Sequence, residues 1–227
     1  MKRIVVLKYG ESIYNEKYIF AGGAPDVMLP ISFVIYLIQD GNRNILVDAG
    51  CNDGAGFKMS CFCKPIEVLE KYGLRPEDIT DVILTHRHHD HVEAIGDFKN
   101  AVIHIQKEEY APTRKFIPEE SKVEIFEEQT SLGPNLTIRK IGGHSAGSSI
   151  VIYEADNKKY VFCGDECYVR ECFEKQVPTG ATCNPALSKQ FIQDYCGKEY
   201  IPLLFHDPSI IPGKVGYEII MEDPGIE

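Results

Sequence analysis

Tryptophan is absent from this chain of 227 residues, so the large side chains of any core must come from its 12 tyrosines and 11 phenylalanines. No apolar run approaches the roughly 20 residues that a membrane-spanning helix needs. The opening stretch MKRIVVLKYGES is basic and then briefly apolar. It is too short for a signal h-region and lacks a small-residue cleavage site, so a cytoplasmic location and no membrane partner are expected. Repeats, low-complexity tracts and Pro/Gly/Ser linkers are also missing, which favours a single domain over residues 1–227. Positive charge is scarce: 24 Lys and Arg stand against 34 Asp and Glu, for a net charge of −10. Phosphate neutralisation needs clustered Lys and Arg, so the charge argues against nucleic acid as the main partner. An anionic small molecule is not excluded, because a bound metal inverts the local field.

What is present points to a folded enzyme-sized domain. Hydrophobic residues make up 44 % and charged residues 26 % of the chain, enough for a full core and an ordinary surface. Eight cysteines invite a disulfide reading, but a chain of this length without an export signal is expected to keep them reduced. Cys61-Phe62-Cys63 and Cys163-x3-Cys167 match no standard zinc spacing. Cys163 and Cys167 are read as small buried hydrophobes rather than a redox pair.

Strand-like and helix-like segments alternate. RIVVLKY, ISFVIYLI, NILVD, DVILT, AVIHI, KVEIF, LTIRKI, SIVIYEA, KYVFCG and YIPLLF are rich in β-branched and aromatic residues and read as strands. Turns are expected at Asp40–Asn42 and Asp156–Lys158. Pro65 to Gly73 has Pro at its start and Gly at its end, a helix signature. HVEAIGDF and KEEYAPTRKF begin as helices, and PALSKQFIQDYC is amphipathic. Residues 10–30 and 51–64 read as long loops, and loops of that length are often functional. The first of them carries Tyr14, Tyr18, Phe20 and Met28, and a lid over a pocket, a dimer contact and an ordinary packed loop are all open for it.

The stretch THRHHDH puts His86, His88, His89, Asp90 and His91 directly after an apolar run. Imidazole and carboxylate at alternating loop positions can share a metal, and the ligand types suit Zn²⁺, Fe and Mn²⁺ equally. His89 is the odd one out, pointing away or supporting the others from behind. Further along, His144 falls between two strands, Asp165 follows a strand directly, and His206 follows the last one. Polar ligands gathered at several strand ends are how a sheet protein builds a site. His104, inside AVIHI, reads as a core histidine.

The order HxHxDH, GHS-x-G, GD after a strand and a late histidine resembles the metallo-β-lactamase superfamily, from about Val34 to His206. That resemblance implies an α/β fold, the αββα sandwich of two mixed β-sheets flanked by helices. It implies that His86, His88 and His144 hold one metal, that Asp90, His91 and His206 hold a second, and that Asp165 bridges them. Asp48 in ILVDAG would be a structural residue near the site. The cofactors implied are two divalent ions, Zn²⁺ first, with Fe or Mn²⁺ as alternatives. Within the superfamily the chain is most similar to N-acyl homoserine lactonases, both in ISFVIYLIQDGNRNILVDAGC and in Tyr168, three residues after Asp165. The expected reaction is attack of a metal-bound hydroxide on an ester, lactone or thioester carbonyl of a small-molecule substrate. Tyr168 would serve the oxyanion and Asp90 would carry a proton to the leaving group. The alternatives are a glyoxalase II-like thioester hydrolase, a mononuclear-iron persulfide dioxygenase, and a binding protein with a closed structural metal.

Overall fold

Apolar residues in the N-terminal strands occupy both phases of the two-residue repeat, so both sheet faces must be covered. Ile4 and Val6 enter one buried cluster with Val34, Tyr36 and Ile38, while Val5 and Leu7 enter another with Phe33, Ile35 and Leu37. A computed structural model describes residues 1–223, so the last four positions of the expected domain lie outside the described residues.

The first part of the chain contains β1 (Lys2–Asn15), the short helix α1 (Glu16–Ile19), β2 (Met28–Asp40), β3 (Arg43–Val47), β4 (Cys61–Phe62) and α2 (Pro65–Tyr72). Next come β5 (Asp81–Leu84), α3 (His89–Val92), β6 (Val102–Gln106), α4 (Lys107–Thr113) and β7 (Lys122–Phe126). The rest holds β8 (Gln129–Ser131), β9 (Leu136–Lys140), β10 (Ser149–Ala155), β11 (Lys158–Phe162), α5 (Arg170–Lys175), α6 (Pro185–Asp194), β12 (Tyr200–Leu203) and β13 (Gly216–Asp223). The first sheet runs β13-β1-β2-β3-β5-β6-β7, with β4 paired to β1, and the second runs β12-β11-β10-β9-β8. Both are mixed: β3, β5, β6 and β7 are mutually parallel, as are β11 and β12, and the other pairings are antiparallel. This is the expected αββα sandwich.

The layer between the sheets is built by aromatic side chains. Tyr36 from the first sheet meets Phe162 at 5.3 Å and Phe205 at 5.0 Å between ring centroids, both edge-on. The outer layers cover the remaining faces: α2 buries Val68 and Leu69, and α6 buries Phe191 and Ile192. Local signals set the ends of α2, with Pro65 in its first turn, Glu67 accepting from the Lys64 N–H, and Gly73 closing it in the left-handed region at φ 106°. The β10–β11 turn uses Asp156 and Asn157, both at positive φ, a conformation these two residue types tolerate. No helix among the described residues is long and apolar enough to cross a membrane.

Residues 10–30 depart from the expected loop. β1 continues to Asn15, pairs with β2 down to Met28, and shifts register between Lys8 and Gly10. The bulge bends the strand, and β4 joins its far side opposite Gly10 and Glu11. Polar, low-propensity residues such as Gly10, Glu11, Ser12 and Asn15 concealed this strand, whose order comes from pairing on both edges.

His104 is buried as expected, and it explains a buried carboxylate. Asp81 accepts from His104 at 2.9 Å, from Arg43 at 2.8 Å and from the Thr80 hydroxyl at 2.7 Å. Burial alone would raise the Asp81 pKa, but these bonds hold it well below the usual carboxylate value. A carboxyl depressed on folding contributes stability above its unfolded pKa of about 4 and loses it as pH falls towards the folded value. Asp81→Asn is therefore expected to lower stability at pH 7 and to flatten its loss between about pH 5 and pH 2 in urea titrations. An unchanged acid limb would show that the Asp81 cluster contributes nothing.

Candidate metal centre

Five chain segments deliver polar side chains to one end of the sandwich. Asp48 follows β3, His86 to His91 follow β5, His144 lies between β9 and β10, Asp165 follows β11, and His206 follows β12. For the four that follow parallel-paired strands, this is the carboxyl edge, where open α/β sheets place their sites. All seven expected ligand residues converge here.

They form two groups joined by Asp165. Ligand atoms of His86, His88, His144 and Asp165 lie within 4.8 Å of one another, as do those of Asp90, His91 and His206. His88 Nδ1 is 3.0 Å from His86 Nε2 and 2.8 Å from His144 Nε2. Asp165 Oδ2 faces the first group, 3.5 Å from His86 Nε2 and 3.3 Å from His144 Nε2. Its Oδ1 faces the second, 3.1 Å from both His91 Nε2 and His206 Nε2. Asp90 Oδ2 stands 3.6 Å from each of those two nitrogens.

Hydrogen-bond accounting fixes which atoms are lone pairs. The Thr85 hydroxyl gives its one proton to Asp48, so it accepts from His86 Nδ1. His91 Nδ1 donates to Asp48 at 2.7 Å, His206 Nδ1 to the Ser32 carbonyl at 2.9 Å, and His144 Nδ1 to the Ala181 carbonyl. In its neutral form, each of these four rings therefore turns an unprotonated Nε2 towards Asp165. His91 Nε2 and Asp165 Oδ1 are buried without any hydrogen-bond partner. Acceptors pointed at acceptors in a buried site call for a cation between them. The field agrees. Burial disfavours a charge on His91, but Asp165, Asp48 and Asp90 outweigh it and raise its pKa well above the usual value. Burial likewise pushes the Asp165 carboxyl up, and His91, His206, His86 and His144 more than reverse it. Nitrogen and carboxylate donors of this kind fit Zn²⁺, Fe or Mn²⁺.

Three buried carboxylates hold the loops in place. Asp48 also accepts from the Thr85 N–H at 2.7 Å, as a structural residue beside the site should. Glu109 ties the two histidine loops together: it accepts from the Arg87 N–H at 2.9 Å, the Ser145 hydroxyl at 2.9 Å and the Gly147 N–H at 2.7 Å. Glu166 accepts from the Gly143 and His144 N–H groups, both at 3.1 Å, and from the hydroxyls of Ser148 and Ser188. No local sequence pattern singles out Glu109 or Glu166, because their partners lie far away in the chain.

A cavity of about 310 Å³ opens onto this cluster. Asp90, Asp165, His88, His144 and His206 form its polar end, and Tyr14, Ile31, Phe57 and Ala181 line it elsewhere. Tyr168 also lines it, its ring 4.8 Å from that of His206, and burial, then Asp165 and Asp90, raise its pKa so that the phenol stays protonated. His89 turns away from the two ligand groups, as expected, and pairs with Asp53 at 2.8 Å, yet it reaches the cavity wall. Cys163 and Cys167 are buried in the hydrophobic core.

A sequence profile of the metallo-beta-lactamase superfamily matches residues 34–190. The chain is similar to the N-acyl homoserine lactonase of Bacillus cereus, 24% identical over 202 residues that cover 78% of this chain and 81% of that protein. In fold it is similar to a crystal structure of a quorum-quenching N-acyl homoserine lactone lactonase, with TM-score 0.79 and 23% identity over 90% of this chain and 92% of that one. It is also similar to AidC, a dizinc quorum-quenching lactonase, with TM-score 0.75 and 18% identity over 99% of this chain and 96% of that one.

Glu109→Gln removes one acceptor oxygen and sets an amide N–H₂ against donors. It is expected to cost about 1–3 kcal/mol in chemical denaturation, the usual penalty of a buried unsatisfied donor. A change within about 0.5 kcal/mol, the range of ordinary surface substitutions, would contradict the stapling role.

Proposed function

The chain belongs to the metallo-beta-lactamase superfamily of hydrolases, and on that premise we propose that it is a dinuclear-metal lactonase whose substrates include N-acyl homoserine lactones. The observation that carries this reading is the Asp165 carboxylate, one oxygen to each group of histidines, at the floor of a cavity that also holds the Tyr168 phenol. In this reading His86, His88 and His144 hold one ion, Asp90, His91 and His206 hold the other, and Asp165 bridges them. Zn²⁺ is the proposed metal, with Fe or Mn²⁺ as alternatives. Such a pair supplies Lewis acidity and lowers the pKa of water towards neutrality.

The chain's own residues do the rest. Tyr168, protonated and buried beside Asp165, donates to the substrate carbonyl oxygen as negative charge develops there. Asp90 reaches the cavity and carries a proton to the alcohol oxygen released when the ring opens. The acceptors behind the rings, Asp48, Ser32 O, Ala181 O and Thr85 Oγ1, hold the ligands in one tautomer. Two separate ligand groups support a pair of ions over the single iron of a persulfide dioxygenase. Tyr168 supports a lactone over the thioester of a glyoxalase II-like enzyme. We also take the chain to act as one domain in the cytoplasm, supported by the core shared between its two sheets and by eight free cysteines.

Protein of known metal content, assayed against lactones, thioesters and phosphodiesters, is expected to open lactones fastest; faster thioester cleavage would overturn the lactonase reading. His88→Ala is expected to lose metal and nearly all activity, and retention of both would remove His88 from the site. Tyr168→Phe is expected to keep its metal and lower kcat by roughly ten- to a hundredfold. An unchanged kcat would take Tyr168 out of the mechanism.

A further inference from the structure

Tyr14 lines the same cavity as Asp90, Asp165 and Tyr168, and no role above uses it. It stands on the bent end of β1. Its ring stacks on Tyr18 with centroids 5.1 Å apart and planes at 21°, and meets Phe57 edge-on at 5.2 Å. These contacts fix its orientation before any substrate arrives.

The segment that carries it is tied down as well. Tyr18 O accepts from the Ala181 N–H and the Thr179 hydroxyl, both at 2.9 Å, and Ala21 N–H donates to Pro178 O at 2.9 Å. A Cβ at Gly180 would lie 1.9 Å from Lys17 O, so only glycine allows the two segments to approach this closely. Ala181 in turn accepts from His144. The segment after β1 is thus a fixed wall of the site.

The Tyr14 hydroxyl lies in the field of Asp165 and Asp90 and hydrogen-bonds to neither; burial, Tyr18 and these carboxylates raise its pKa. It therefore meets the cavity as a neutral, uncommitted donor, and such a donor recognises an acceptor oxygen. The reacting carbonyl belongs to Tyr168 and the Asp165 end. A second donor, on a different element, suits a second carbonyl on the same molecule. In an N-acyl homoserine lactone the amide nitrogen is bonded to the carbon next to the ring carbonyl, so the amide oxygen lies only a few atoms from the reacting centre.

We infer that Tyr14 is a specificity-determining residue that donates a hydrogen bond to the acyl amide oxygen of the substrate, an assignment that rests on the lactonase reading. Ile31, Phe57 and Ala181 give the acyl chain an apolar surround. A site built around a substrate acceptor rejects analogues that lack it, because a donor that the bound ligand closes off from water is then left unpaired.

The test compares kcat/KM for N-hexanoyl homoserine lactone and for γ-hexanolactone, which has no amide, on metal-loaded protein. The wild-type protein is expected to prefer the amide-bearing lactone by more than tenfold. Tyr14→Phe, which keeps the ring and its stacking, is expected to cut that preference by about tenfold, mainly through KM, as loss of one neutral hydrogen bond implies. A wild-type protein with no preference, or an unchanged ratio in Tyr14→Phe, overturns the role of Tyr14 and leaves the lactonase reading standing. A wild-type protein that opens neither lactone overturns the lactonase reading itself. The wild-type comparison needs no variant to fold.

Discussion

The arrangement depends on one carboxylate. Asp165 is buried just after β11 with an oxygen turned to each of two histidine groups, and in the neutral rings the nitrogens it faces are lone pairs because those rings donate elsewhere. Three other buried carboxylates nearby, Asp48, Glu109 and Glu166, are each saturated by N–H and O–H donors. Asp165 Oδ1 has none. A protein that satisfies those three carboxylates and leaves this one facing nitrogens is arranged around cations.

The fold makes that convergence possible by ending strands from both sheets at one edge. His86 and Asp48 come from the first sheet and Asp165 and His206 from the second, so the site depends on the register of the two layers. Tyr36, packed on Phe162 and Phe205, sits on that seam. Its hydroxyl bonds to Leu204 O, two residues before His206. Packing between the sheets and geometry at the site are one problem, because a shift between the layers would separate the two oxygens of Asp165 from their partners.

The ligands were legible because each one follows an apolar run that ends abruptly in His or Asp, and because HxHxDH has few other uses. The strands were legible where β-branched residues dominate. Residues 10–15 were not, since a largely polar strand held by β2 along its length and by β4 at Gly10 and Glu11 has no local signature. β13 adds a strand to those expected: GYEIIMED has only a short apolar run between acidic residues, and its edge position leaves Tyr217, Ile219 and Ile220 exposed. Glu109 and Glu166 were hidden for another reason. Their role lies in contacts with loops far away in the chain, and a glutamate at a helix start or after an aspartate looks like any other. The wall formed by Tyr14 and Tyr18 was hidden in the same way, since its meaning comes from Ala181 and the ligand behind it.

The most direct test of the central claim is anomalous diffraction from crystals of the protein grown with Zn²⁺. The account predicts two peaks per chain about 3.5–4 Å apart, the spacing of two-metal sites. One should lie among His86, His88 and His144 and the other among Asp90, His91 and His206, with Asp165 between them. A single peak, or two peaks that do not share Asp165, would contradict it.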